Sequence, residues 1–234
     1  MMDSGTIALI LPAAGSGRRM QKEIPKAYLN LGSQTVLEHT IAAFSRISGL
    51  TQIVIPTLAD YHDQTEAMIQ RLVPHCTGSV VRGGAERQNS IQHALQVLEP
   101  RIEWVMIHDA VRPFIEKADI EQCLQNARRT GASIVAVPVK DTIKQVGDDR
   151  FVEQTPERSA LWQAQTPQIF RRDWIVDAYH QTESKNLLMT DDASVAEFAG
   201  RKVHITEGSR MNFKLTYPLD FEIAEQIVGR KDAL

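Results

Sequence analysis

The sequence has 234 residues, 43% hydrophobic and 24% charged, which suits one large domain of ordinary globular composition. Its 26 basic and 29 acidic residues leave a net charge of −3, so no global pull toward nucleic acid or membrane is expected and any anion site must be local. Cys76 and Cys123 lie far apart with no Cys-x-x-Cys, and the seven histidines include no His-x-x-x-His, which argues against a disulfide framework or zinc and for a reducing, cytoplasmic setting.

In chain order, "TIALILPA" (Thr6 to Ala13) is a continuous apolar strand of the kind buried on both faces. It is not expected to act as a secretory leader, since Asp3 precedes it, Lys and Arg do not, and Pro12 interrupts a run too short to span a bilayer. The glycine turn "AAGSGRR" follows it. "TVLEHTIAAFSRI" then predicts a helix opened by a Thr35-x-x-Glu38 capping box, with Val36, Leu37, Ile41 and Phe44 on its apolar face. "QIVIPT" (Gln52 to Thr57) is the second strand. The helix "DQTEAMIQRLV" comes next, with Asp60 as its expected N-cap. "SVVR" (Ser79 to Arg82), "EWVMIHD" (Glu103 to Asp109) and "ASIVAVPV" (Ala132 to Val139) are further strands, separated by helices at "SIQHALQVL" and "ADIEQCLQNARRT".

Repeated β-α-β units predict an α/β fold, a Rossmann-like, mostly parallel sheet covered by helices on both faces. Ligands of such sheets sit beyond the strand C-termini. That rule places four polar turns on one rim: "AAGSGRR", "GGAERQNS", "HDAVRP" and "KDT". After Val139, "KDTIKQVGDDRFVEQT" reads as a two-stranded ribbon with little apolar surface, which needs its own domain or a second subunit to lie against. The expected organisation is one domain over residues 1–234 with this β-arm inserted at about 140–160. The chain then returns to α/β through "TPQIF", "RDWIVDAYH", "TDDASVAEFAG", "KVHIT" and a last helix with Pro218 in its first turn.

The first turn fits neither a P-loop nor a G-x-G-x-x-G dinucleotide turn, since Gly15-x-Gly17 runs into Arg18, Arg19 and Met20. Small Ala13, Ala14, Gly15 and Gly17 let backbone N–H groups approach a ligand, and Arg18, Arg19 and Lys26 add positive charge, a combination suited to a triphosphate. Two readings of Asp109 stay open: a Mg²⁺ ligand at a strand C-terminus, or a cap of the following loop. Arg112 would pair with it or support that loop, and His108 reads as a packed histidine. A Ser/His/Asp hydrolase lacks its G-x-S-x-G elbow.

Together, "LPAAGSGRRM", "PKAYLNL", "GGAERQNS", "HDAVRPF", "PVKDTIK", "LWQAQTPQIF", "TDDAS" and "KLTYPLDFEIAE" resemble the 2-C-methyl-D-erythritol 4-phosphate cytidylyltransferases, in order, from about Thr6 to Gln226. The resemblance implies transfer of CMP from CTP to methylerythritol phosphate with release of pyrophosphate, in non-mevalonate isoprenoid precursor synthesis, with Mg²⁺ as cofactor. It implies Arg19 and Lys26 as transition-state stabilisers, Ala13, Ala14, Gly15 and Gly17 as the nucleotide turn, and Gly84, Ala85 and Ser90 as the cytosine-reading segment. It further implies Asp109 as the metal ligand, and Thr142, Arg158, Thr166 and Lys214 around methylerythritol phosphate. Arg158 would come from the partner subunit of a homodimer clasped by the arms. Without the resemblance, Arg158 reads as a surface salt-bridge arginine, Thr166 as a cap before Pro167 and Lys214 as a solvated lysine. Ala85 and Asn89 depart from the acids common at these positions, and Asn89 is expected to cost a charge interaction or alter loop order. Some members are fused to a later-acting cyclase; here the sequence beyond the last helix is expected to leave no room for one. The alternatives are a ribitol 5-phosphate cytidylyltransferase, differing in the acceptor pocket, and a non-catalytic nucleotide-binding regulatory protein, which would need no cations at the α-phosphate.

Overall fold

A computed structural model describes residues 5–15 and 24–232. The first strand, β1 (Ile7–Ile10), is buried along its whole length and leads into the rim turn at Ala13 to Gly15. A small hairpin, β2 (Asn30–Leu31) and β3 (Gln34–Thr35), runs into α1 (Val36–Phe44). Thr35 Oγ1 accepts from the Glu38 N–H and the Glu38 carboxylate accepts from the Thr35 N–H, so the predicted capping box is present. Then come β4 (Leu50–Thr57), α2 (His62–Leu72), β5 (Thr77–Arg82), α3 (Arg87–Gln96), β6 (Trp104–Ile107), α4 (Lys117–Thr130) and β7 (Ala132–Pro138). Asp60 is not the N-cap of α2. The chain enters that helix through a 3-10 turn, Ala59–Tyr61, which leaves Tyr61 at the cap position and Asp60 inside the turn.

The ribbon is β8 (Gln145–Val146) with β9 (Val152–Gln154), antiparallel and exposed at every residue of both strands. After it come β10 (Trp162–Arg171), α5 (Arg172–Ser184), α6 (Asp192–Phe198), β11 (His204–Glu207) and α7 (Pro218–Asp232).

Among the described residues, seven strands form one sheet in the order β11-β7-β10-β6-β1-β4-β5. Every pairing is parallel except those of β10, which runs antiparallel to both β6 and β7. The order reverses at β1: the chain moves from β1 outward through β4 to β5, then returns to place β6 on the other side. The crevice at that switch point, beyond the ends of β1 and β6, is where an open α/β sheet binds its ligand. One face of the sheet packs Leu9, Ile53 and Met106 with Phe44, Met68 and Leu124 from α1, α2 and α4. The other packs Ala8, Val54 and Val105 with Ile91, Ile175 and Val195 from α3, α5 and α6. A third cluster sets α7 (Ala224, Val228) on Leu31, Val36 and Leu215. Burial of both faces explains why the strands read as apolar runs rather than as alternation. Among the described residues no helix is long and apolar enough to cross a membrane.

Candidate functional site

The crevice is a cleft of about 690 Å³ at the switch point, lined by three of the four predicted rim turns and by Lys26 and Lys214. The first turn continues β1 alongside β4: the Leu11 N–H donates to the Val54 carbonyl and the Ala13 N–H to the Pro56 carbonyl. The second turn is drawn against the first, with the Gly83 N–H donating to the Thr57 carbonyl at 2.8 Å. A Cβ on Gly83 would stand 2.1 Å from the Ala14 Cβ, so only glycine permits this approach. Gly84 and Ala85 face the cleft beyond it. Ser90, 3% exposed, turns inward: its Oγ accepts from the Gly84 N–H at 2.9 Å and donates to the Glu86 carbonyl. It shapes the loop with the hydroxyl already occupied. Asn89 Oδ1 accepts from the Glu86 N–H at 3.1 Å and helps to start α3, so the loop order put in question by the missing acid is kept by an uncharged acceptor.

The third turn carries Asp109, 6% exposed. Its Oδ1 accepts from Arg87 Nε at 3.1 Å, and its Oδ2 from Arg112 Nε at 3.2 Å and Lys214 Nζ at 3.1 Å. Burial alone would raise its pKa; Arg87, Lys214 and Arg112 overcome that and hold the carboxyl well below the usual carboxylate range. Lys214 is brought here by its neighbour, since the Leu215 N–H donates to the Val111 carbonyl and Leu215 is fully buried. Arg112 does both things expected of it, because Nη1 also donates to the Asn212 carbonyl at 2.8 Å. Lys26 lies on the cleft wall in a 3-10 turn after Pro25, with Nζ 3.4 Å from the Thr216 carbonyl.

Thr166 sits behind this wall, 4% exposed. Its Oγ1 accepts from the Asp109 N–H and faces His108 Nδ1, both at 3.0 Å, while His108 Nε2 faces the Arg112 carbonyl. That carbonyl can only accept, so the proton is on Nε2 and the threonine hydroxyl donates to Nδ1. His108 is a packed histidine, and burial lowers its pKa to about 4. Thr142 and Arg158 are exposed at the base of the arm, where Arg158 Nη1 donates to the Lys140 carbonyl at 3.0 Å. Neither lines the cleft of its own chain. Gly17, Arg18 and Arg19 lie outside the described residues.

The family model for 2-C-methyl-D-erythritol 4-phosphate cytidylyltransferase matches residues 7–230. The chain belongs to that family. A 2-C-methyl-D-erythritol 4-phosphate cytidylyltransferase of Symbiobacterium thermophilum is 43% identical over 222 residues, 95% of this chain and 92% of the relative. One of Desulforamulus reducens is 38% identical over 231 residues, 97% of this chain and 98% of the relative. The crystal structure of a 4-diphosphocytidyl-2C-methyl-D-erythritol synthase from Anaerococcus prevotii superposes with a TM-score of 0.86 at 30% identity, covering 97% of this chain and 100% of that one.

Within this cytidylyltransferase scaffold, the cations have a buried support that local sequence does not announce. Arg87 bridges two acids, giving Nε to Asp109 and Nη2 to Asp192 Oδ2 at 2.8 Å. Asp192 is fully buried and its Oδ1 accepts from the Tyr179 hydroxyl at 2.6 Å. Burial would lower the Arg87 pKa; Asp192 and Asp109 raise it, and the charge stays fixed. The partners of Arg87 are 22 and 105 residues away, so no periodicity could pair them, although "TDDAS" marked the segment.

The same geometry tests the expected metal ligand. Both oxygens of Asp109 already take cationic donors, three in all. Among the described residues no three His, Cys, Asp or Glu side chains come together to hold a metal. Mg²⁺ is commonly held by one or two carboxylates with substrate phosphates, so a ligand role for Asp109 would require one of its three cations to yield. Its place is to gather Arg87, Arg112 and Lys214 at the cleft.

Proposed function

We propose that the protein transfers CMP from CTP to 2-C-methyl-D-erythritol 4-phosphate in the cytoplasm, as a step of non-mevalonate isoprenoid precursor synthesis. The observation that carries the reading is the coincidence of a family match over residues 7–230 with a switch-point cleft holding Lys26 and Lys214 opposite the glycine turn. A phosphate oxygen of the acceptor attacks the α-phosphorus of CTP; the new P–O bond forms as the bond to the β-phosphate breaks, and pyrophosphate leaves. Lys26 and Lys214 stabilise negative charge on the phosphates, and Arg19 belongs with them by family resemblance. Ala13, Ala14 and Gly15 admit the triphosphate, while Gly84 and Ala85 face the base and Ser90 braces their loop. The protein's part is positioning and charge stabilisation, with no covalent intermediate. Magnesium would enter with the triphosphate and would neutralise charge developing on it, beside Asp109 at the cleft.

A homodimer completes the proposal. Ile143, Val146, Phe151 and Val152 are exposed apolar side chains on and beside a ribbon too small to stand alone. Clasping by a partner's arm would cover them and carry Thr142 and Arg158 toward the partner's acceptor site. The test of function is pyrophosphate release with CTP and Mg²⁺, using methylerythritol phosphate, ribitol 5-phosphate or no acceptor. Turnover with methylerythritol phosphate is the expected result. Preference for ribitol phosphate by kcat/KM would change the acceptor, and silence with both would leave a nucleotide-binding protein.

A further inference from the structure

At the opposite end of the sheet lies a second cavity, about 610 Å³, within the range of small-molecule sites. Its wall holds four arginines, Arg128, Arg129, Arg171 and Arg172, against two acids, Glu103 and Asp173. It is remote from the nucleotide cleft: Trp104 in its wall opens β6, and Asp109 stands five residues on, about 16 Å at ~3.3 Å per residue.

Two of these arginines lack what a charged group normally has. Arg128 Nε and Nη2 and Arg172 Nε are buried without a hydrogen-bond partner. Both side chains are half-buried, so the charge is partly hydrated, but a guanidinium keeps its proton and its inward-facing N–H groups go without an acceptor, at a cost. Helix ends explain only part of the arrangement. Arg128 and Arg129 sit in the last turn of α4, where a cation is favourable, yet Arg128's buried nitrogens reach no carbonyl. Arg171 and Arg172 occupy the N-cap and first position of α5, the end that favours anions. Arg171 is compensated by a bidentate pair with Asp173, at 3.1 and 2.7 Å. Arg172 has no such pair, and Glu103 makes no ion pair among the described residues. The inward-facing nitrogens of Arg128 and Arg172 therefore call for an acceptor at one place, beside an α5 whose first N–H already donates to the Glu103 carbonyl.

The rest of the wall is aromatic. Trp174 is held by Arg201 on its ring at 4.9 Å and lies so close to Gly131 that a Cβ there would be 2.2 Å from the indole. Gly131, at φ 91°, closes α4 and gives the ring its seat. Trp104 completes the lining.

We propose that this cavity binds a small phosphate monoester, with the phosphoryl group on Arg128 and Arg172 and an apolar or planar substituent against Trp104 and Trp174. Three tryptophans are present, and the third, Trp162, lies at the base of the arm, so a Trp162→Phe background leaves only the two cavity indoles as reporters. In that background, phenyl phosphate titrated at constant ionic strength should give a saturable fluorescence change, at lower concentration than inorganic phosphate. Arg128→Gln and Arg172→Gln should each weaken it at least tenfold while turnover of CTP stays unchanged. Glu103→Gln should tighten it several-fold, an opposite response that loss of folding cannot imitate. The proposal is overturned by no saturable change, by an equal response to sulfate, or by titrations that ignore all three substitutions.

Discussion

Asp192→Asn isolates the buried support of the cleft. The amide is isosteric, so Oδ1 can still accept from Arg87 and Nδ2 can donate to the Tyr179 oxygen. What disappears is the charge opposite Arg87 at 2.8 Å, inside a site with no solvent access to Asp192. Removing one member of a buried pair costs about 3–5 kcal/mol. Arg87 keeps Asp109 as a second counter-ion, so the low end applies, about 3 kcal/mol, or a fall in Tm of about 6–12 °C for a chain of this size. The assay is thermal unfolding at pH 7 by circular dichroism, with urea denaturation as a second measure. Adding Arg87→Met should restore most of the loss, because the uncompensated charge goes while Asp109 retains Arg112 and Lys214. A loss below about 1 kcal/mol for the single variant, or further loss in the double variant, would refute the claim that Asp192 serves as counter-ion to Arg87.

Four further outcomes are expected. The His108 pKa of about 4 lies below the unfolded value near 6.5, so stability is full above pH 6.5 and falls as pH drops toward 4, by about 3 kcal/mol; a His108→Gln variant should flatten Tm against pH between about 6.5 and 5, below which protonation of Asp109 in the unfolded chain adds a slope of the same sign. Gly83→Ala forces the two nucleotide turns apart and should raise KM for CTP more than tenfold in steady-state assays, whereas an unchanged KM would mean that the approach to Ala14 is not needed for binding. Asp109→Asn should lower kcat about 10²-fold by releasing the cations, yet leave the Mg²⁺ concentration for half-maximal rate unchanged; a large shift in that concentration would restore the metal-ligand role. Mixing Arg158→Ala with Lys26→Ala subunits should recover activity through one intact composite site, and a confirmed heterodimer without recovery would exclude sharing.

Much of this was legible because it is local. The apolar run of β1, the Thr35–Glu38 capping box and the glycine turn depend on residues within a few positions of one another, and the topology rule then gathered three rim turns without any long-range information. What escaped depends on contacts made across the chain. Arg87 finds Asp192 only after α3 and α6 pack on the same face of the sheet. Ser90 and Thr166 entered through the family resemblance alone, and their bonds to the Gly84 and Asp109 N–H groups and to His108 depend on the folded chain. Asp109 carried a strand-end carboxylate's usual suggestion of metal; its neighbour Arg112 was foreseen as a partner, but Arg87 and Lys214 reach it from distant segments. The failed Asp60 cap has a nearer cause, a single 3-10 turn that shifts the helix start past it.

The antiparallel strand β10 sets a final constraint. Trp162 begins it beside the arm, Thr166 meets Asp109 in its middle, and Arg171 ends it at the arginine cavity. Arm, cleft and cavity are thus beads on one string, their spacing set by a ten-residue strand that pairs with β7 near both its ends and also with β6 from Gln168 to Arg171. Inserting or deleting one residue in the doubly paired stretch, Gln168 to Phe170, would exchange the faces of the side chains beyond it. Loops elsewhere can lengthen at small cost, but this strand is a ruler whose length cannot drift.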